Sequence, residues 1–264
     1  MKKIIKSLIP EKVLVGYHKF KQQKSEQKHK KLFKGNNVKC PICNSTYRIF
    51  DSFGEKAREN AQCYNCKSLE RHRLLFMYLS EKLSLFNNNP KPIRLLHFAP
   101  EKVFYNRFTN MKMVEYTPCD LFPELYNYNG SIEIIKVDIT NIPFEDDFFD
   151  FILCNHVLEH IPNDKLAISE LYRVMKKGGS GILQVPIDYN RKVTYEDWTI
   201  NTPEEREKAF GQSDHVRRYG QDYKIRLKGG GFLVHEDSFI KTFTSEEIFK
   251  FGLIGSELIY YCEK

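Results

Sequence analysis

The stretch DFILCNHVLEHIPND, residues 150–164, decides how this chain is read. It carries two histidines and a glutamate in the spacing H-x-x-E-H, which is that of an inverted zinc-peptidase helix. It also opens on FILC, an apolar run that suits a buried strand. The peptidase reading needs residues 156–160 to begin an amphipathic helix, with a further acidic ligand downstream. Here the histidines follow the apolar run at once and Pro162 stands two residues after His160, where proline breaks a helix. The strand reading is preferred. It puts Asn155 and His156 at the strand's end, His156 at a pocket mouth and His160 beneath the loop, with no metal assigned to the motif.

Working outward, short apolar runs recur at 93–98 (IRLLHF), 113–120 (MVEYTPCD), 132–138 (IEIIKVD), 148–155 (FFDFILCN) and 180–187 (SGILQVPI). An amphipathic stretch over 164–179 predicts a helix with Leu166, Ile168, Leu171, Val174 and Met175 on its apolar side, ended by Gly178 or Gly179. Strands alternating with helical stretches argue for a parallel sheet covered on both faces. Ligands of such sheets sit outside the carboxyl ends of the strands. That directs attention to Asp120 after the second run, Asp138 after the third, and Asn155 and His156 after the fourth. GGSG at 178–181 and GGG at 229–231 join a helix to a strand, and neither has the lysine of a phosphate loop.

VDITNIPFEDDFFDFILCNHVLEHIPN, followed by ELYRVMKKGGSGILQVPI, resembles the central stretch of class I S-adenosylmethionine-dependent methyltransferases of the type 11 kind, and the likeness extends over residues 93–264. The resemblance implies an α/β, Rossmann-like, doubly wound, mostly parallel seven-stranded sheet. It implies that Asp138 and the backbone of Ile139 bind adenine, and that Asp120 with Leu121 binds the ribose. The family's first glycine loop is replaced by HFAPEK, residues 97–102. His97 and Ala99 then line the cofactor site, Pro100 fixes the turn, and Glu101 receives the methionine ammonium in a charge-assisted contact. Residues 188–222 are long for a connection and contain the only tryptophan, Trp198. In this fold they would lie over the transferred methyl group. Within them His215 is the preferred general base, with Asp214 and His156 as the other catalytic candidates and Arg217, Arg218 and Tyr219 nearby. The implied acceptor is a small molecule or glycan precursor methylated at oxygen or nitrogen. RNA is the second choice. A non-catalytic binding protein with a degenerate domain is the third.

Seven cysteines occur, four of them as CPIC (Cys40, Cys43) and CYNC (Cys63, Cys66) with nineteen residues between the pairs. That is a zinc-ribbon spacing. Two residues between ligands let one tight turn aim both thiolates at an ion, and two turns complete a tetrahedron. A site of four cysteines is closed, so a structural Zn2+ is expected. Cys119, Cys154 and Cys262 are expected as small apolar core residues. After the second pair, residues 68–86 read as a helix with Ser68 as N-cap, Glu70 in its first turn, and Leu69, His72, Leu75, Phe76 and Leu79 facing inward. Arg71 and Arg73 are expected at the surface.

Residues 1–39 hold twelve Lys against two acids, a balance of +10; the whole chain is +7, which leaves −3 for residues 40–264. A basic tail of this kind suits an anionic membrane surface or nucleic acid, whereas a slightly acidic body counts against RNA as the substrate. A helix from Pro10, with Val13, Leu14, Tyr17 and Phe20 on one face, is expected to lie on a membrane or dock on the protein itself. The tail lacks a signal-peptide pattern, and a reducing cytoplasm is the default. The expected domains are 1–39, a basic helix and linker; 40–90, the four-cysteine zinc-ribbon-like module with its helix; and 91–264, the methyltransferase domain, with a cap at 188–222.

Overall fold

The computed structural model describes residues 31–54, 57–86, 91–128 and 130–264. The expected basic helix and most of the proposed 87–92 boundary lie outside them. The chain divides into two compact units: the residues up to Ser84 together with Ile240–Glu257, and Leu85–Phe239 together with Leu258–Lys264.

In the small unit, β1 (Lys34–Lys39) pairs antiparallel with β2 (Thr46–Tyr47), and β3 (Asp51–Phe53) with β4 (Arg58–Gln62). Helix α1 (Glu70–Met77) follows the second cysteine pair. Its N-cap is Leu69 rather than Ser68, and the Leu69 N–H donates to His72 Nδ1 at 3.1 Å. Ser68 turns its hydroxyl to the cysteine sulfurs instead. Arg73, expected outside, is fully buried. It donates to the carbonyls of Ser68, Ala61, Phe251 and Gly252 at 2.6–2.8 Å and lies 4.3 Å from the Phe50 ring centroid. Four carbonyls converging on one guanidinium recover much of what its desolvation costs. Gly252 is a requirement of that cluster. It ends a later helix of this unit in a left-handed conformation, φ +58°, and a Cβ there would stand 2.7 Å from Arg73 Nη2 and from the Phe50 ring.

In the large unit, the strands are β5 (Ile93–Phe98), β6 (Val114–Asp120), β7 (Ile135–Lys136), β8 (Phe149–Asn155), β9 (Met175–Gln184), then β10 (Tyr195–Glu196) and β11 (Arg217–Arg218), and finally β12 (Leu233–Asp237) and β13 (Ile259–Glu263). Seven of them form one sheet in the order β12-β13-β9-β8-β5-β6-β7, with β9, β8, β5, β6 and β7 parallel and β13 antiparallel to both neighbours. The chain starts in the middle at β5, runs out to β7, then returns to β8. The direction of progression therefore reverses between β5 and β8, the place where such sheets open a ligand crevice. This is the Rossmann-like architecture expected. Six of the seven β8 residues are buried, which is why its sequence is nearly unbroken apolar rather than alternating. Cys119, Cys154 and Cys262 lie in β6, β8 and β13, fully buried.

Helix α2 (Lys102–Phe108) links β5 to β6, and α3 (Asp164–Val174) links β8 to β9. Among the described residues, the β6–β7 connection carries only the short turn Pro123–Leu125, and the β7–β8 connection has no helix. The expected strand over 132–138 shrinks to two residues at the sheet edge, where short strands present little unpaired backbone. Helix α3 also stops before its expected end. Met175 is already extended, and Met175 to Gly179 belong to β9. Glycines 178 and 179 weaken the helix there, and Phe149 pairs with Met175. At Gly181 a Cβ would meet the Ile152 carbonyl at 2.7 Å, so this part of GGSG serves strand contact. The inward stripe of α3 is Ala167, Ile168, Leu171 and Val174; Leu166 is exposed.

Residues 188–222 fold as the β10–β11 hairpin around α4 (Pro203–Phe210), whose Thr202 and Glu205 form a capping box. Helix α5 (Tyr223–Gly229) follows. In the small unit, α6 (Ser245–Phe251) precedes Gly252.

Candidate functional site

A cavity of about 390 Å³ opens at the carboxyl ends of β5, β6, β7 and β8. Each strand end supplies a pair of lining residues: Phe98 and Ala99, Asp120 and Leu121, Asp138 and Ile139, His156 and Val157. Asp120 Oδ1 accepts from the Phe122 N–H at 2.8 Å, and Oδ2 accepts from the Tyr126 hydroxyl at 2.6 Å. A carboxylate has about four acceptor sites, so both oxygens retain capacity. Burial and then Asp120 itself raise the Tyr126 phenol well above its ordinary value, which keeps it a donor. Asp138 Oδ1 accepts from the Thr140 N–H and hydroxyl at 2.8 and 2.7 Å. Its Oδ2 carries no hydrogen bond among the described residues. Leu121, Ile139, Val157 and Phe98 give the cavity apolar walls.

His97, Glu101 and Asn155 do not line this cavity. They form a hydrogen-bonded chain beside it: Tyr116 hydroxyl to His97 Nδ1 at 2.9 Å, His97 Nε2 to Glu101 Oε2 at 2.8 Å, and Asn155 Nδ2 to Glu101 Oε1 at 3.2 Å. An ionised carboxylate only accepts, so the neutral His97 ring donates through Nε2 and accepts the Tyr116 O–H hydrogen bond at Nδ1. Asn155 Oδ1 is buried and has no partner. This unused acceptor sits on the residue before His156, at the end of β8.

Two lining residues hold a left-handed backbone without being glycine: Ala99 at φ +48° and His156 at φ +56°. The first N–H donates to the Cys119 carbonyl at 3.0 Å, the second to the Gln184 carbonyl at 2.7 Å. Left-handed conformations cost about 1–2 kcal/mol for a residue with a Cβ, and such strain clusters at functional sites. Ala99→Val, β-branched, is expected to destabilise the fold by about 1–3 kcal/mol, read as a lower urea midpoint. Ala99→Gly should not lower it.

Beyond β8, residues 158–160 form a single 3-10 turn, so no peptidase helix exists. The turn nonetheless gathers chemistry. His160 lines the cavity with Asp214 and lies 3.3 Å from the Asp214 carboxylate. This corrects the expectation that His160 packs beneath the loop. His215 is 5% exposed and does not line the cavity; its ring meets that of His160 edge-on at 4.8 Å. Burial lowers its proton affinity below the ordinary histidine value, against a raising effect of Glu159. Glu159 is 1% exposed; Oε1 lies 3.4 Å from His156 Nδ1 and Oε2 has no partner. The backbone bond from the Val216 N–H to the Glu159 carbonyl, 3.0 Å, joins the two segments. Sequence reading missed Glu159 and gave His160 no role, because their partner His215 lies far along the chain and nothing local marks the meeting.

Arg217 and Tyr219, considered for chemistry, are anchors. Arg217 is 1% exposed and donates to Glu196 at 2.6 Å and to the carbonyls of Leu158, Ile161 and Pro162. The Tyr219 hydroxyl donates to Asp164, which with Glu196 also binds Arg226. Arg218 is exposed and lies 3.5 Å from Asp188. Trp198 is also exposed.

In the small unit, the four paired cysteines converge, all ligand atoms lying within 4.8 Å of one another. Cys40 and Cys66 sulfurs are 3.6 Å apart, Cys43 and Cys63 sulfurs 3.7 Å. A zinc tetrahedron with bonds of about 2.3 Å has edges of about 3.8 Å, while a disulfide needs about 2.05 Å. Both turns share one construction. Asn44 N–H donates to the Cys40 carbonyl and Lys67 N–H to the Cys63 carbonyl. Asn44 and Lys67 both take left-handed conformations, φ +58° and +60°. The donor set and its spacing fit a tetrahedral ion.

Residues 105–183 match the family model described as a methyltransferase domain. An uncharacterized protein of Methanocaldococcus jannaschii is 43% identical over 54 residues, 20% of this chain and 26% of that one. A demethylmenaquinone methyltransferase of Staphylococcus haemolyticus is 34% identical over 56 residues, 21% and 23% of the two chains. The match thus spans about a quarter of the length of these relatives. Among solved structures, an S-adenosylmethionine-dependent methyltransferase from Mesorhizobium loti has 13% identity and a TM-score of 0.49, covering 72% of this chain and 100% of that one. Among the described residues, no helix is long and apolar enough to cross a membrane.

Proposed function

We propose that this methyltransferase-domain protein transfers a methyl group from S-adenosylmethionine to a hydroxyl or amine of a small-molecule or glycan-type acceptor. The observation that carries the reading is the pair Asp120 and Asp138, at the ends of adjacent strands β6 and β7, lining one cavity with apolar walls. When bound, the sulfonium supplies an electrophilic methyl; this chain's residues hold and align. Asp120 accepts hydrogen bonds from the ribose hydroxyls. Asp138, through its unbonded oxygen, and the Ile139 backbone take the adenine edge. Leu121 and Ile139 exclude water from its faces. The strained turn at Ala99 lets the backbone approach closely. Glu101, held beside the cavity by His97 and Asn155, is the carboxylate proposed for the ammonium. Catalysis is mostly positioning, with His156, His160 and Asp214 as the polar groups that face the acceptor. His215, buried and outside the lining, does not touch the acceptor, so the general-base role given to it from sequence is not retained.

The four-cysteine cluster holds one structural Zn2+, supported by its sulfur spacing and its paired turns. The slightly acidic body argues for a sugar acceptor over RNA, which needs a basic face. Methyl-labelled S-adenosylmethionine offered with nucleotide sugars and oligosaccharides on one side, and ribosomal RNA on the other, tests the choice. Label is expected in the sugar fraction. Label in the RNA, with binding that falls steeply with salt, would reverse the assignment.

A further inference from the structure

We infer that Glu159, His160 and His215 form a site for one divalent cation in the large unit, separate from the four cysteines. A ligand nitrogen of each histidine and a Glu159 oxygen lie within 4.8 Å of one another. An ion with bonds of roughly 2.0–2.2 Å needs about 3–3.5 Å between adjacent ligands, a closure within reach of small side-chain movements. The second observation is the carboxylate itself. Glu159 is 1% exposed and its Oε2 has no hydrogen-bond partner. A buried, half-satisfied carboxylate is costly, and a cation among it and the imidazoles removes that cost. His215 is buried as well, and burial favours the neutral ring that a metal ion needs.

Two imidazoles and one carboxylate suit Zn2+, Mn2+, Fe2+, Co2+ or Ni2+ and leave coordination positions open. His160 lines the cavity and Asp214 stands 3.3 Å from it, so open positions face the acceptor space. An oxygen ligand, such as an acceptor hydroxyl, fits there as on a Lewis acid. That role rests on the methyltransferase reading; the ion site rests on the cluster alone. The opening motif H-x-x-E-H thus contributes ligands without its peptidase helix, the third coming from the 188–222 segment.

The test uses the full chain with its thiol cluster first saturated with Zn2+, then titrated with Co2+ and followed by visible absorption and calorimetry. One further equivalent is expected, with ligand-field bands and no thiolate charge-transfer band. Glu159→Gln and His215→Ala should each weaken it by more than the roughly 10–100-fold that loss of an outer-shell partner costs. His160→Gln, at a half-exposed side chain, decides the matter if the buried variants unfold. Absence of a second equivalent, or Co2+ affinity unchanged in His160→Gln and in whichever buried variants fold, would overturn the inference. None of these readouts requires S-adenosylmethionine, so failure here and failure of methyl transfer are separable.

Discussion

Replacing Cys43 with Ser is expected to abolish the zinc binding proposed for the four cysteines and to unfold the small unit. The hydrophobic cluster packed around the cysteines is small: Val38, Cys40, Tyr47, Phe50, Cys63 and Tyr64 with a few partly buried neighbours. The unit's strands form two separate two-stranded pairs, and isolated hairpins are marginal in water. Structural zinc contributes about 10–16 kcal/mol of apparent binding free energy in small zinc modules, far more than this cluster supplies. Losing one thiolate should lower metal affinity by orders of magnitude. Metal content and amide exchange across β1 to β4 measure both consequences. The wild type should hold zinc that is released when the four thiols are titrated with a mercurial, and Cys43→Ser should lose amide protection across both hairpins. Protection unchanged in a zinc-free protein would mean that the thiols are ordinary core residues.

Arg217→Met is expected to destabilise the large unit by about 3–5 kcal/mol, the usual result of breaking a buried ion pair from one side. The side chain of Arg217 has no exposure, and Glu196 and Asp164 lie 2.6 and 3.7 Å from its Nε. Methionine removes the guanidinium donors to the Ile161 and Pro162 carbonyls and one of those to Leu158, and leaves Glu196 to Arg226 and Asp164 to Arg226 and Tyr219. Lysine should not rescue, because a point charge cannot replace a fork that serves four acceptors. Burial would raise the Glu196 carboxyl, but Arg226 and Arg217 outweigh it and hold it below its ordinary value. Its contribution is therefore complete above the ordinary glutamate range and lost as the pH falls through the lowered value. Denaturant midpoints at neutral and acid pH measure both effects; a difference between wild type and Arg217→Met that is the same at both pH values would contradict the coupling.

The elements that read well from sequence are those whose signal is local. β8 declared itself through an unbroken apolar run, and the cysteine pairs through a spacing that tight turns impose. Asp120 and Asp138 followed from the rule for sheet ends. What failed was non-local. Arg73 looked like a surface residue because arginine is rarely buried, and Arg217 like a reactive group of the cap; the burial of both depends on carbonyls arriving from distant segments. The early stop of α3 depends on Phe149 capturing Met175 across the sheet. The left-handed turn at Ala99 leaves no mark in HFAPEK, since nothing in alanine's chemistry favours it.

Carboxylates on adjacent strand ends are proposed to hold the adenosine of S-adenosylmethionine. Calorimetry of the full chain with that compound, wild type against Asp138→Ala, tests this most directly. Saturable one-to-one binding is expected in the wild type, weakened about tenfold or more when a charged hydrogen-bond partner worth roughly 1.5–3 kcal/mol is removed. No heat in the wild type, or equal affinity in the variant, would contradict it.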